Sequence, residues 1–82
     1  NNLFSMRVHF FKYQATGNDF VIIDNRQLNL RLPTEQIVRI CDRRFGVGAD
    51  GLMLLEPHPS EDFRLVYYNS DGSQSLCGNG SR

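Results

Sequence analysis

The stretch Ser75-Leu76-Cys77-Gly78-Asn79-Gly80 carries the sharpest chemical signal in the chain. A cysteine acts as base or nucleophile only as thiolate, and its pKa falls beside a helix N-terminus or a cation. If a helix begins at about Asn79, Cys77 lies beside unpaired backbone N–H groups and the positive end of a dipole. The glycines let a ligand approach the backbone, and a helix N-terminus takes carboxylate or phosphate. The loop then supplies an acid–base group and an anion cradle together. The plainer alternative is a turn whose cysteine points inward, because one cysteine in a glycine-rich turn is a weak motif.

Asn18 and Asn69 stand at the ends of apolar runs, beside turn residues. Each amide both donates and accepts, which suits a substrate carrying amino and carboxylate groups. Equally, both residues are ordinary turn formers. FGVGADG, residues 45–51, either wraps a ligand or ends a helix and turns at Asp50-Gly51. It is no dinucleotide fingerprint, because it follows a helix and opens a strand. Cys41 falls on an apolar helical stripe and reads as a small core hydrophobe. His9 and His58 show no obvious partners and read as surface or strand residues.

The elements that must hold these residues follow from periodicity. RVHFFKYQA (7–15) alternates and is rich in strand formers. DFVIIDN (19–25) is a second strand, joined to the first by Thr16-Gly17-Asn18 as a hairpin, with Gly and Asn taking the positive φ values. RQLNLRL is ambiguous; its alternating leucines suggest a brief edge strand. Pro33-Thr34-Glu35 opens a helix with Thr34 as cap. Ile37, Ile40, Cys41 and Phe45 are its expected buried stripe. Arg43 and Arg44 occupy its last turn, where cations suit the dipole, and Gly46 is the expected C′ residue. GLMLLE (51–56) is a buried strand. DFRLVYYN (62–69) is another, turned back by Asp71-Gly72 toward Gln74–Cys77 as a second hairpin. Short connections make the sheet mostly antiparallel, with one clear helix. The class is α+β rather than a βαβ relay.

Composition bounds the rest. The 82 residues hold nine basic and nine acidic side chains, for a formal net charge of zero. The basic residues are scattered, which gives no footprint for nucleic acid and no polybasic membrane patch. Arg39, Arg43 and Arg44 share helical spacing and read as a solvated face. No apolar run is long enough to span a bilayer. Residues 1–5 read as a leader or cloning remnant, with Met6 as the natural start. Two cysteines without a signal peptide point to the cytoplasm and free thiols. The sequence leaves a Cys41–Cys77 disulfide open. Cys41, Cys77, His9 and His58 lack the close pairing of a zinc site, so no metal is expected.

The stretches FFKYQATGNDFVIIDNR, ICDRRFGVGADGLMLLE and YYNSDGSQSLCGNGSR, in that order, resemble the start of diaminopimelate epimerase. The Gly-Asn-Asp-Phe turn, Gly-Val-Gly-Ala-Asp, Asn-x-Asp-Gly-Ser and Cys-Gly-Asn-Gly are jointly specific, though each alone is weak. The resemblance runs from Met6 to Arg82 and covers only the first part of the family's enzyme. It implies that residues 6–82 form an incomplete N-terminal domain: part of a barrel that lacks its central helix.

The resemblance also implies a reaction. The family interconverts LL- and meso-diaminopimelate, without pyridoxal phosphate, metal or other cofactor. Two cysteines from two similar domains flank the substrate α-carbon. Cys77 matches the first of them. Asn18 and Asn69 match asparagines that hold the distal amino-acid end, and Gly78 and Asn79 match the backbone cradle for the reacting carboxylate. Gly51 stands where many members carry glutamine near the ligand, and Ser81 where alanine is common. The second cysteine lies beyond Arg82, so this chain alone is expected to be inactive. An uncovered apolar sheet face is expected to drive self-association. Two rival readings remain at this stage: a proline-racemase-like isomerase of the same fold, and a non-catalytic binding or assembly module.

Overall fold

The computed structural model describes residues 8–80. The expected leader at residues 1–5, the start at Met6, and Ser81 and Arg82 lie outside them. The elements run β1 (Phe10–Ala15), β2 (Asn18–Asp24), α1 (Thr34–Cys41), β3 (Gly51–Glu56), β4 (Phe63–Asn69) and β5 (Gln74–Gly80). They form one five-stranded sheet in the order β1-β2-β3-β4-β5, which does not close on itself. The chain is α+β, as expected.

One pairing departs from the simplest hairpin reading. β2 and β3 run parallel, with Phe20 opposite Gly51 and Ile23 opposite Leu54; the other neighbours are antiparallel. A parallel pair needs a crossover of a dozen or more residues. Residues 25–50 provide it and carry α1 across one face, so a single βαβ unit sits inside the mostly antiparallel sheet.

Two turns close hairpins by different means. Ala15 pairs with Asn18, leaving Thr16 and Gly17 as a two-residue loop. Both have positive φ, 50° and 83°, which suits the right-handed twist of a hairpin. The second left-handed position therefore falls on Thr16, not Asn18; a β-branched residue there is uncommon. Between β4 and β5, Gly72 has a φ of 89°, and an added Cβ would run into Thr34 at the start of α1. That turn thus packs against the helix entrance.

α1 has eight residues, too few to persist alone; packing must hold it. Ile37, Ile40 and Cys41 are buried against Val21, Ile23, Leu52, Leu54 and Val66 of the sheet. Pro33 is the N-cap and makes no side-chain cap bond, so Thr34 is the first helical residue rather than the cap. The helix stops at Cys41, before Arg43 and Arg44. Phe45 is 73% exposed and leaves the stripe. The loop that follows folds back to satisfy the orphan carbonyls. Val47 and Gly48 N–H donate to Ile40 O, at 2.9 and 3.0 Å, and Ala49 N–H donates to Cys41 O at 3.0 Å. Gly46 is not the C′ residue. It is needed because an added Cβ would collide with the Arg39 carbonyl.

RQLNLRL forms no strand. Asn25, 5% exposed, closes it as a loop: its Nδ2 donates to Leu30 O at 3.2 Å, and Leu30 N–H donates to its Oδ1 at 2.9 Å. Leu30 is buried, and Leu28 and Leu32 pack on the core margin. A buried amide must be paired, and here that pairing takes the backbone groups an edge strand would have used. His58 likewise organises a loop, its Nδ1 accepting from Ser60 and Glu61 N–H at 3.2 Å each.

β5 pairs with β4 as far as Phe63 opposite Gly80. Among the described residues the helix expected from about Asn79 does not begin: Gly78, Asn79 and Gly80 are strand. Gly opposes helix nucleation, and β4 offers ready backbone partners.

Candidate active site

The residues singled out from sequence gather at one end of the sheet and on its last strand. Phe20, Gly51 and Asn69 form one row across β2, β3 and β4. Residues directly opposite share a face, and so do residues two apart on one strand. Asn18, two residues before Phe20, therefore joins the same face just past the end of β3. Two strand spacings separate Phe20 from Asn69, about 10 Å. Asn18 is exposed and makes no side-chain hydrogen bond among the described residues. Asn69 Nδ2 donates to Ser73 Oγ at 3.0 Å, while Ser73 Oγ donates to Asp71 Oδ1 at 2.6 Å. Asn69 is thus oriented by the turn it closes, in keeping with its reading as a turn former.

Cys77 lies opposite Val66, Gly78 opposite Leu65 and Asn79 opposite Arg64. Along β4, Val66 is three residues from Asn69, again about 10 Å. Val66 is a core residue and alternates with Asn69 along β4, so the register pairs position 77 with the covered face and does not bring it onto the face that carries Asn18 and Asn69. The expected helix dipole is not supplied by residues 77–80. β5 is instead an edge strand, and alternate backbone N–H groups of such a strand point away from its neighbour. Cys41, by contrast, is a free thiol in the core, and burial pushes its pKa up. It is chemically quiet, as expected of a core cysteine.

An ion cluster that sequence reading missed fixes the row from behind. Arg43 donates bidentately to Asp19, at 3.0 and 2.8 Å, and to Asp50 at 3.1 Å. Lys12 lies 3.2 Å from Asp19. The aspartates also clasp each other's backbones: Asp19 N–H donates to Asp50 Oδ2, and Asp50 N–H to Asp19 Oδ1, each at 3.0 Å. Arg43 holds the Asp19 carboxyl far below the usual range, aided by Asp50 N–H and Lys12. Asp19 follows Asn18 and Asp50 precedes Gly51, so the cluster locks the starts of β2 and β3 in register. Arg43 is thus no solvated helix charge, because the helix has already ended. The signal was present in sequence as acidic residues inside Gly-Asn-Asp-Phe and Gly-Val-Gly-Ala-Asp, but no periodicity assigns them a partner.

Gly51 is the closest approach in the site. An added Cβ would meet Tyr67 Cζ at 2.6 Å and Tyr68 O at 2.8 Å. The Tyr67 ring also packs edge-on to Phe20, with centroids 5.5 Å apart and planes at 76°. Among the described residues, no three His, Cys, Asp or Glu side chains gather as a metal-ligand set, and no helix is long and apolar enough to cross a membrane.

Comparison with known proteins places this arrangement. The sequence profile of the diaminopimelate epimerase family matches residues 10–82. The diaminopimelate epimerase of Flavobacterium psychrophilum is 62% identical over 74 residues, covering 88% of this chain and 29% of the relative. Those of Acaryochloris marina and Chlorobaculum tepidum are 51% and 54% identical, over 94% and 83% of this chain and 28% and 27% of theirs. The chain therefore spans under a third of the length of the curated relatives it matches. A profile that runs through β1 to the Cys-Gly-Asn-Gly stretch, with relatives this similar, leaves one assignment: the chain belongs to the diaminopimelate epimerase family.

Proposed function

We propose that this chain supplies one half of a two-thiol site that epimerises diaminopimelate in the cytoplasm, without pyridoxal phosphate or metal. Cys77 is its acid–base group. Asn18 and Asn69 hold the distal amino-acid end of the substrate, and the Gly78-Asn79 backbone receives the reacting carboxylate. The observation that carries the reading is the family match through Cys77.

Inversion explains the need for two thiols. A single base returns the proton to the face it left. With one sulfur on each face, a thiolate takes the α-proton while the opposite thiol delivers its own to the carbanionic carbon. The two sulfurs exchange protonation states and the centre inverts. Sulfur suits this role when its pKa is tuned toward the working pH. Charge developing on the carboxylate is stabilised by preorganised N–H donors. The second thiol belongs to the remainder of a longer protein, and Cys41 does not replace it, being buried in the core.

The test uses the full-length protein carrying this segment, with LL-diaminopimelate in deuterated water. Inversion should proceed with solvent deuterium entering at the α-carbon. Cys77→Ala should abolish inversion, a loss of at least about a thousandfold, and the 82-residue chain by itself should show no turnover. Full activity of Cys77→Ala would remove the reading.

A further inference from the structure

We propose that the Tyr67 hydroxyl is a substrate-binding group: a hydrogen-bond donor to the polar end of the substrate held at Asn18 and Asn69. This assignment rests on the epimerase reading above. Tyr67 stands opposite Met53 in the ladder, yet its phenol reaches across to Gly51, whose opposite number is Asn69. The side chain leans along its strand by one same-face position, about 7 Å, and delivers its hydroxyl to the row that carries Asn69. With glycine at position 51 the phenol occupies the space a Cβ would take, so a side chain there would have to displace the ring. The bare position is therefore filled by a polar group borrowed from the neighbouring strand.

Two further features separate a binding group from simple packing. The ring is braced edge-on by Phe20, so the hydroxyl is held rather than swept through solvent. That hydroxyl has no hydrogen-bond partner among the described residues, although Tyr67 is half-buried. A phenylalanine would pack the same space without offering a donor. Partial burial, with Asp50 nearby, pushes the phenol pKa up. It therefore stays protonated at working pH and donates, which suits a carboxylate oxygen.

The experiment is Tyr67→Phe in the full-length protein carrying this segment, with diaminopimelate as substrate. The variant keeps the ring over Gly51 and against Phe20 and removes only the donor. KM should rise about tenfold while kcat stays within about threefold and the thermal midpoint is unchanged. Tyr67→Leu, which also removes the ring, should raise KM further. An unchanged KM in Tyr67→Phe, with the wild type active, overturns this assignment and leaves the epimerase reading intact. So does a fall in kcat that tracks a lowered thermal midpoint, since that marks a structural role. A wild-type protein that does not turn over diaminopimelate removes both.

Discussion

Both faces of this sheet carry apolar side chains, and they are differently treated. On one, Val21, Ile23, Leu52, Leu54 and Val66 are buried beneath α1 and the loops flanking it. On the other lie Phe11, Tyr13, Phe20, Ile22, Met53 and Tyr67, for which the described residues provide no cover. Phe11 is 69% and Tyr13 54% exposed, while Leu52 is fully buried. The candidate site residues Asn18, Tyr67 and Asn69 belong to the uncovered face. The contrast teaches where each kind of residue can live. The covered face supplies stability through its buried aliphatic side chains and the packed Cys41 thiol. The open face keeps polar groups within reach of a ligand, and in doing so leaves aromatic surface that water disfavours.

The largest effect should come from breaking the covered face. Ile37→Ala removes a buried side chain from the only helix among the described residues and should cost about 2–5 kcal/mol in chemical denaturation. A cost like that of a surface change would mean that α1 is not what seals this face.

The open face should respond in assembly rather than in stability. We propose that Phe11 and Tyr13 promote association between copies. Substituting both with lysine should weaken that association at least about tenfold, because each aromatic contributes roughly 1.5–3 kcal/mol when buried. Sedimentation measurements at several concentrations read this directly, and unaltered association would place the contact elsewhere.

The smallest effect belongs to the ion cluster at the end of the sheet where the site begins. The Asp19 carboxyl is held below its ordinary value of 3.8, chiefly by Arg43. As pH falls, the unfolded chain takes up the proton first, so this contribution is complete above about pH 4 and declines below it. Asp19→Asn should flatten that part of the acid limb of stability. Because the cluster is largely exposed, the change is expected to be modest and to shrink in high salt. Identical acid profiles for Asp19→Asn and wild type would show that the cluster contributes nothing to folding.

Much of this was readable in the residues, and the misses share a cause. β3 was legible to the residue, because a short apolar run between Asp50-Gly51 and Pro57 has sharp boundaries. The helix stripe of Ile37, Ile40 and Cys41 was legible from its spacing, but Phe45 was not excludable, since spacing continues past the point where the backbone turns away. RQLNLRL alternates as a strand does; the amide of Asn25 redirected it into a loop. The positions Asn18, Asn69 and Cys77 stood out through motif and resemblance. Arg43 and Tyr67 did not, because each acts on residues distant in sequence.

Local order and family membership were set by the linear order of residue types, since periodicity, turn chemistry and motif spacing are properties of neighbouring positions. Three matters awaited the folded chain: the parallel alignment of β2 with β3, the capture of two aspartates by Arg43, and the phenol of Tyr67 laid over Gly51. Each joins residues that only the sheet register brings together. The energy deciding them comes from which strands share edges and which side chains compete for one space.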